Sequence, residues 1–149
     1  MTQSSRMAGS ALVVAIVATG PSQAQKFVER IDGVYMFAAA PHTGTLAVKD
    51  IKSGLLFEVT TVSPKGATCE ARGQSAGGKV STFRAGEAGF RLTVGRGQIT
   101  ISGLLGRVSE QPFCGLGAML TGVYNRSGPL DAKTAAALKD LKTPLAKSR

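Results

Sequence analysis

Tryptophan is absent from this sequence, histidine occurs once, cysteine and tyrosine occur twice each, and only nine side chains are carboxylates. Each scarcity excludes a kind of chemistry. Catalysis needs acids, bases or nucleophiles that converge and shift one another's pKa values. His42, the sole imidazole, sits in Ala40-Pro41-His42-Thr43-Gly44, whose Pro and Gly mark a surface loop and an ordinary exposed side chain. No serine stands in a G-x-S-x-G elbow. Two cysteines and one histidine cannot complete a tetrahedral zinc site without a carboxylate, and no carboxylates are spaced for calcium or magnesium. Gly95-Arg96-Gly97 and Gly115-Leu116-Gly117 do not extend into G-x-G-x-x-G or a Walker sequence, so they read as hairpin and bulge glycines. Without Trp, and without aromatics interleaved among the basic residues, unpaired bases have no stacking platform, which sets nucleic acid aside. The composition points away from an enzyme, a cofactor and a metal.

Long apolar runs are scarce too. The main one, Ala8 to Ala18, follows the positive Arg6 and precedes Gly20-Pro21 and the small-residue pattern Ser22-Gln23-Ala24. That order is the order of an export leader, with cleavage expected after Ala24. The run is about half of the ~20 residues that a helix needs to cross a bilayer core. No cysteine follows it to take a lipid anchor. The expected products are a signal peptide over 1–24, a single β domain over 25–128 and a basic helical tail over 129–149, in the periplasm or secreted.

What is plentiful is glycine, with 19 residues. Between Ile31 and Tyr124 the pattern changes every eight to twelve residues, with Gly, Pro or Ser at the breaks, which favours short antiparallel strands. Strands are expected at Ile31 to Phe37, Gly44 to Ile51, Leu55 to Val62, Ala67 to Gln74, Lys79 to Arg84, Gly89 to Val94, Gln98 to Gly103 and Leu116 to Tyr124. Alternation is clearest where Phe90, Leu92 and Val94 oppose Arg91 and Thr93, and where Ile99 and Ile101 oppose Gln98, Thr100 and Ser102. It is poorest over Val80 to Arg84.

Ile31-Asp32-Gly33-Val34-Tyr35 and Leu120-Thr121-Gly122-Val123-Tyr124 are near copies at the two ends of this region. Pairing the first strand with the last, each Gly allowing close approach and each Tyr filling the gap beside it, would remove both sheet edges. The fold class expected is all-β: about eight antiparallel strands in a closed or nearly closed meander barrel, plus a short C-terminal helix. The competing reading of the two tyrosines is a ligand clamp. The helix is announced by Leu130, Thr134, Leu138, Leu141 and Leu145 at helical spacing, with Pro144 to end it, packing outside the barrel or across its mouth. Cys69 and Cys114, an even pair in an oxidising compartment, most simply form one disulfide. Cys69 shares its face with Ala67 and Ala71, which places that bridge on the inner side.

Charge is unevenly spread. The formal net charge is +9, and losing Arg6 with the leader leaves +8. Gln25 to Thr60 is neutral, Thr61 to Gly128 carries +5, and the tail from Pro129 carries +3. A field of this sign attracts phospholipid head groups and envelope glycans, and Arg84, Arg91, Arg96 and Arg107 are the candidate anion-binding residues.

The stretch Pro112-Phe113-Cys114-Gly115-Leu116-Gly117-Ala118, followed by Leu120-Thr121-Gly122-Val123-Tyr124, resembles a family of small exported proteobacterial proteins of unknown function. Their chains open and close with G-x-Y and carry a late F-C-G-x-x-A segment. The resemblance implies a barrel-like fold and a Cys69 to Cys114 bridge, with no activity attached. Where relatives carry a further cysteine, four residues before the matched one, this chain has Glu110. Small exported β domains of this size include lysozyme inhibitors, an architectural likeness only. A +8 protein would be repelled by animal-type lysozymes, which are themselves basic. Gly128 to Leu138 is similar to one helix of a common peptidoglycan-binding repeat. The reading that follows is a non-enzymatic exported protein that engages an anionic envelope component, the membrane surface among the candidates, through a basic face or mouth. The alternative is an inhibitor of a cell-wall hydrolase, with an envelope protein as partner.

Overall fold

A computed structural model of the chain describes residues 30–86, 88–103 and 113–141. Its strands are β1 (Gly33–Phe37), β2 (Thr43–Ile51), β3 (Gly54–Val62), β4 (Thr68–Gly77), β5 (Val80–Ala85), β6 (Ala88–Gly95), β7 (Gln98–Gly103) and β8 (Gly122–Gly128), followed by helix α1 (Ala132–Asp140). Every strand pairs antiparallel with its sequence neighbours, and β8 returns to β1, so the sheet closes as an eight-stranded meander barrel. Closure leaves neither β1 nor β8 as a sheet edge, the outcome that the two G-V-Y segments foretold.

Alternation decides what fills the barrel. Tyr35, Leu46, Val59 and Ala71 lie in one cross-strand row, and Phe37, Tyr124 and Ile99 in another, all buried. The two tyrosines are buried in the core rather than open as a ligand clamp would be. Tyr35 Oη donates to Ile31 O at 2.6 Å and Tyr124 Oη donates to Leu120 O at 2.7 Å, each to the carbonyl four residues back in its own copy of the motif. The gap beside each glycine is filled by another group than its tyrosine. Gly122 has φ +148, and a Cβ there would stand 2.6 Å from the Phe37 ring. A Cβ on Gly33 would meet Gly128 O and the Arg126 guanidinium.

β5 follows the same alternation in disguise. Its inward residues are Ser81 and Phe83, while Val80 faces out, so a polar residue occupies an inner position and an apolar one an outer position. β4 and β5 pair only at Ala76 with Thr82 and Gly77 with Ser81, and splay apart beyond. Two aromatics occupy the splay. Phe83 lies over Gly73, whose missing Cβ would stand 2.7 Å from the ring, and Phe113 packs on Phe83 and Phe90. Phe113 is held there by backbone bonds between its segment and β4 (Glu70 N–H to Phe113 O, Gly115 N–H to Thr68 O, both 2.8 Å) and by the Cys69–Cys114 disulfide. Cys69 is fully buried on the inner side.

The last strand departs from its expected bounds. It starts at Gly122 rather than Leu116 and runs on to Gly128. Ala118, Leu120 and Tyr124 are buried at alternate positions and imitate a strand, but Gly115, Leu116 and Gly117 form an exposed turn before it. Helix α1 is shorter than expected, ending at Asp140 with Leu141 as its C-cap, and Leu145 and Pro144 lie outside the described residues. Thr134 serves the N-cap instead of the apolar stripe, donating its amide and its hydroxyl to the Asp131 carboxylate. The helix packs outside the barrel on β2 and β3. Leu138, its one buried residue, and Leu56 on the outward side of β3 form apolar burial separate from the main core.

Candidate functional site

Barrel geometry turns the charge asymmetry of the sequence into a sided surface. On the outward side of β5, β6 and β7, Thr82 pairs with Arg91 and Arg91 with Ser102; in the next row Val80, Thr93, Thr100 and Val123 follow one another across four strands. From Val80 to Gly128 the described residues contain Arg84, Arg91, Arg96 and Arg126 and no Asp or Glu. The outer surface of β2 to β4 is mixed, carrying Lys49, Glu58, Glu70 and Arg72, and α1 covers part of it. This wall, without an acid among its described residues, is on the other side of the barrel from the helix, hydroxyl-rich and uncovered by any described element.

The expected anion-binding residues do not converge. Arg84, Arg91 and Arg96 are all exposed, and among the described residues none of them has a carboxylate partner. Arg84 is opposite Gly89 and Arg91 opposite Thr82, so these two are diagonal neighbours on the wall. Arg96 is in the β6–β7 turn, about 24 Å along β6 from Gly89 at about 3.4 Å per residue. The three form a stripe suited to an extended anionic surface rather than a cradle for one small ion. Arg107 lies outside the described residues.

His42 is half-buried, with Nε2 3.2 Å from Gly117 O, rather than the free loop side chain expected. It braces the Gly115–Gly117 turn, whose tip, Leu116, is 96% exposed, the most exposed large apolar side chain among the described residues. A depression of about 230 Å³ lies beside it, lined by Ser63, Pro64, Lys65, Leu116 and Gly117. A second groove of about 380 Å³ runs over Glu58, Thr60, Glu70 and Arg72 on the outside of β3 and β4. Its two carboxylates and one guanidinium give it no single sign. Among the described residues no group of three or more His, Cys, Asp or Glu is placed to hold a metal ion. No described helix is long and apolar enough to cross a membrane.

The fold and surface define a closed antiparallel meander barrel with a disulfide-tethered segment and one basic wall. No protein-family model, curated protein or solved structure matches the chain.

Proposed function

We propose that this is a non-enzymatic exported binding protein of the bacterial envelope, which engages an anionic partner through its basic wall. The observation that carries the reading is the outer wall of β5 to β8, whose described residues include Arg84 and Arg91 along it and Arg96 at its end and no Asp or Glu, none of the three having a described carboxylate partner. The disulfide and the leader-like pattern of 1–24 support an oxidising compartment. The likeness of the Phe113 to Ala118 segment to small exported proteobacterial proteins is in keeping with it.

Replacing Arg84, Arg91 and Arg96 together by Glu changes the formal charge by six units. The three positions are exposed, so each change should cost no more than roughly 0.5 kcal/mol of stability. Wild-type protein should be retained at low ionic strength by anionic vesicles or by cell-wall fragments, and the triple variant should not. Equal retention of both, or retention of neither, would refute the reading.

Leu116 favours a second reading, insertion of a rigid turn into the cleft of an envelope hydrolase. A leucine left in water on a turn fixed by a disulfide and by His42 is preorganised for a pocket. Binding of that kind would persist at high salt and be lost in Leu116→Asp, whereas surface-charge binding collapses as the Debye length shrinks.

A further inference from the structure

One end of the barrel, formed by the β2–β3, β4–β5 and β6–β7 turns, carries a cation at every turn. These are Lys52, Lys79 and Arg96, all exposed, with Arg126 of β8 beside them. Hydrogen bonds that continue the ladders beyond the strands hold the turns. Gly77 N–H donates to Ser53 O at 3.4 Å, Val94 N–H to Lys79 O at 2.7 Å and Arg126 N–H to Gly97 O at 2.8 Å. On the β8 to β1 side, Arg126 Nη2 donates to Asp32 O at 3.0 Å, and Asp50 N–H donates to Asp32 Oδ1 at 2.6 Å. Bonds therefore pass from turn to turn round this end and fix the backbone that bears the cations. Carboxylates share this end: Asp32 pairs with Lys49 at 3.6 Å, Asp50 precedes the β2–β3 turn, and Asp131 follows the end of β8 by three residues at the start of α1.

Strands lie about 4.8 Å apart, so neighbouring hairpins on this rim are about 10 Å apart, and their cations serve separate anionic groups better than a single small anion. Because the cations are distributed round a ring, they can meet a plane of anions at the same time. A linear polyanion would follow one line, such as the Arg84–Arg91 side of the wall. Val80, next to Lys79, is 53% exposed and adds an apolar side chain at the rim.

We propose that this end of the barrel docks on an anionic lipid bilayer, with Lys52, Lys79, Arg96 and Arg126 meeting the head groups. The inference rests on the anion-binding reading above for the sign of the partner and relocates the contact: it keeps Arg96, adds Lys52, Lys79 and Arg126, and places Arg84 and Arg91 of the side wall outside the plane of contact.

The probe is co-sedimentation at low salt with phosphatidylcholine vesicles containing one-third phosphatidylglycerol, beside pure phosphatidylcholine vesicles, soluble polyphosphate and cell-wall fragments. Each basic residue at an anionic surface is worth about fivefold in partitioning, so Lys52→Gln with Lys79→Gln should weaken vesicle binding about 25-fold. Arg84→Gln with Arg91→Gln should change it by less than about threefold, since both lie on the side wall, away from the plane of contact. Pure phosphatidylcholine should not bind the wild type. Thermal melting monitors the fold, and Lys52→Arg with Lys79→Arg should restore binding, which separates charge from any loss of structure. If the side-wall pair abolishes binding and the turn pair does not, end-on docking is wrong while the anion-binding reading stands. Binding to polyphosphate or cell-wall fragments without binding to vesicles overturns the bilayer as partner. If the wild type binds neither vesicles nor fragments, both readings fail together.

Discussion

At Ser75 a hydroxyl is fully buried between strands. Its Oγ accepts from Leu55 N–H at 3.2 Å and lies 3.3 Å from Leu55 O and 2.9 Å from Ser81 Oγ, so two buried serines satisfy each other at the narrow junction of β4 and β5. Ser75→Ala would strand the Ser81 hydroxyl in an apolar interior. Leaving a buried polar group unpaired costs about 1–3 kcal/mol, and denaturant titration should show a loss of that size. Changing both serines to alanine should cost less than the sum of the two single changes, because no unpaired hydroxyl then remains. The serines also explain why β5 was hard to read. Polar Ser81 inside and apolar Val80 outside blur the alternation that marks its neighbours, and nothing in the local sequence says that Ser75 waits across the ladder.

Among the elements, α1 is the one most dependent on its ends. It is short, docks through Leu138, and begins at an Asp131 cap that accepts from the Thr134 amide at 2.9 Å and from its hydroxyl at 2.6 Å. These bonds, that from the Thr134 side chain foremost, hold the Asp131 carboxyl below its ordinary value of 3.8. A carboxylate with a lowered pKa stabilises the folded form above its ordinary value, and that contribution is lost as the pH falls through the lowered one. The Leu138 amide should therefore be strongly protected at neutral pH, relative to an unfolded amide at the same pH, and lose protection below about pH 4, once the unfolded carboxyl begins to hold its proton and the folded one follows. Asp131→Ala should lower that protection already at neutral pH, while Asp131→Asn, which can still cap, should largely keep it. A helix indifferent to all three changes would mean that Leu138 packing alone holds it.

For the whole molecule, the weak place in the barrel is the splay between β4 and β5, and the disulfide tethers the segment that fills it. Cys69 and Cys114 are 45 positions apart. Removing a native bridge from a small domain typically costs about 2–5 kcal/mol. The double variant Cys69→Ala with Cys114→Ala should lose that much in denaturant titration. Its loss should be concentrated in faster amide exchange at Glu70, whose N–H bonds the tethered Phe113 carbonyl, before β2 and β3 are affected.

The sequence by itself determined the strand count, the meander order, the pairing of first strand with last and the cysteine pair, because each follows from local patterns. Period-two alternation, glycine at the turns, a repeated G-V-Y motif and an even number of thiols need no knowledge of distant neighbours. Only the tertiary structure decided that Phe37 and Arg126, rather than the tyrosines, lie over the motif glycines, and that β8 begins late. It alone spread Arg84, Arg91 and Arg96 along the barrel instead of gathering them, and brought Lys52, Lys79 and Arg126 to one end with Arg96. The physical reason is closure. Residues 52, 79, 96 and 126 are far apart along the chain, and what makes them neighbours is the hydrogen-bonded register of successive antiparallel strands, which returns every second turn to the same rim.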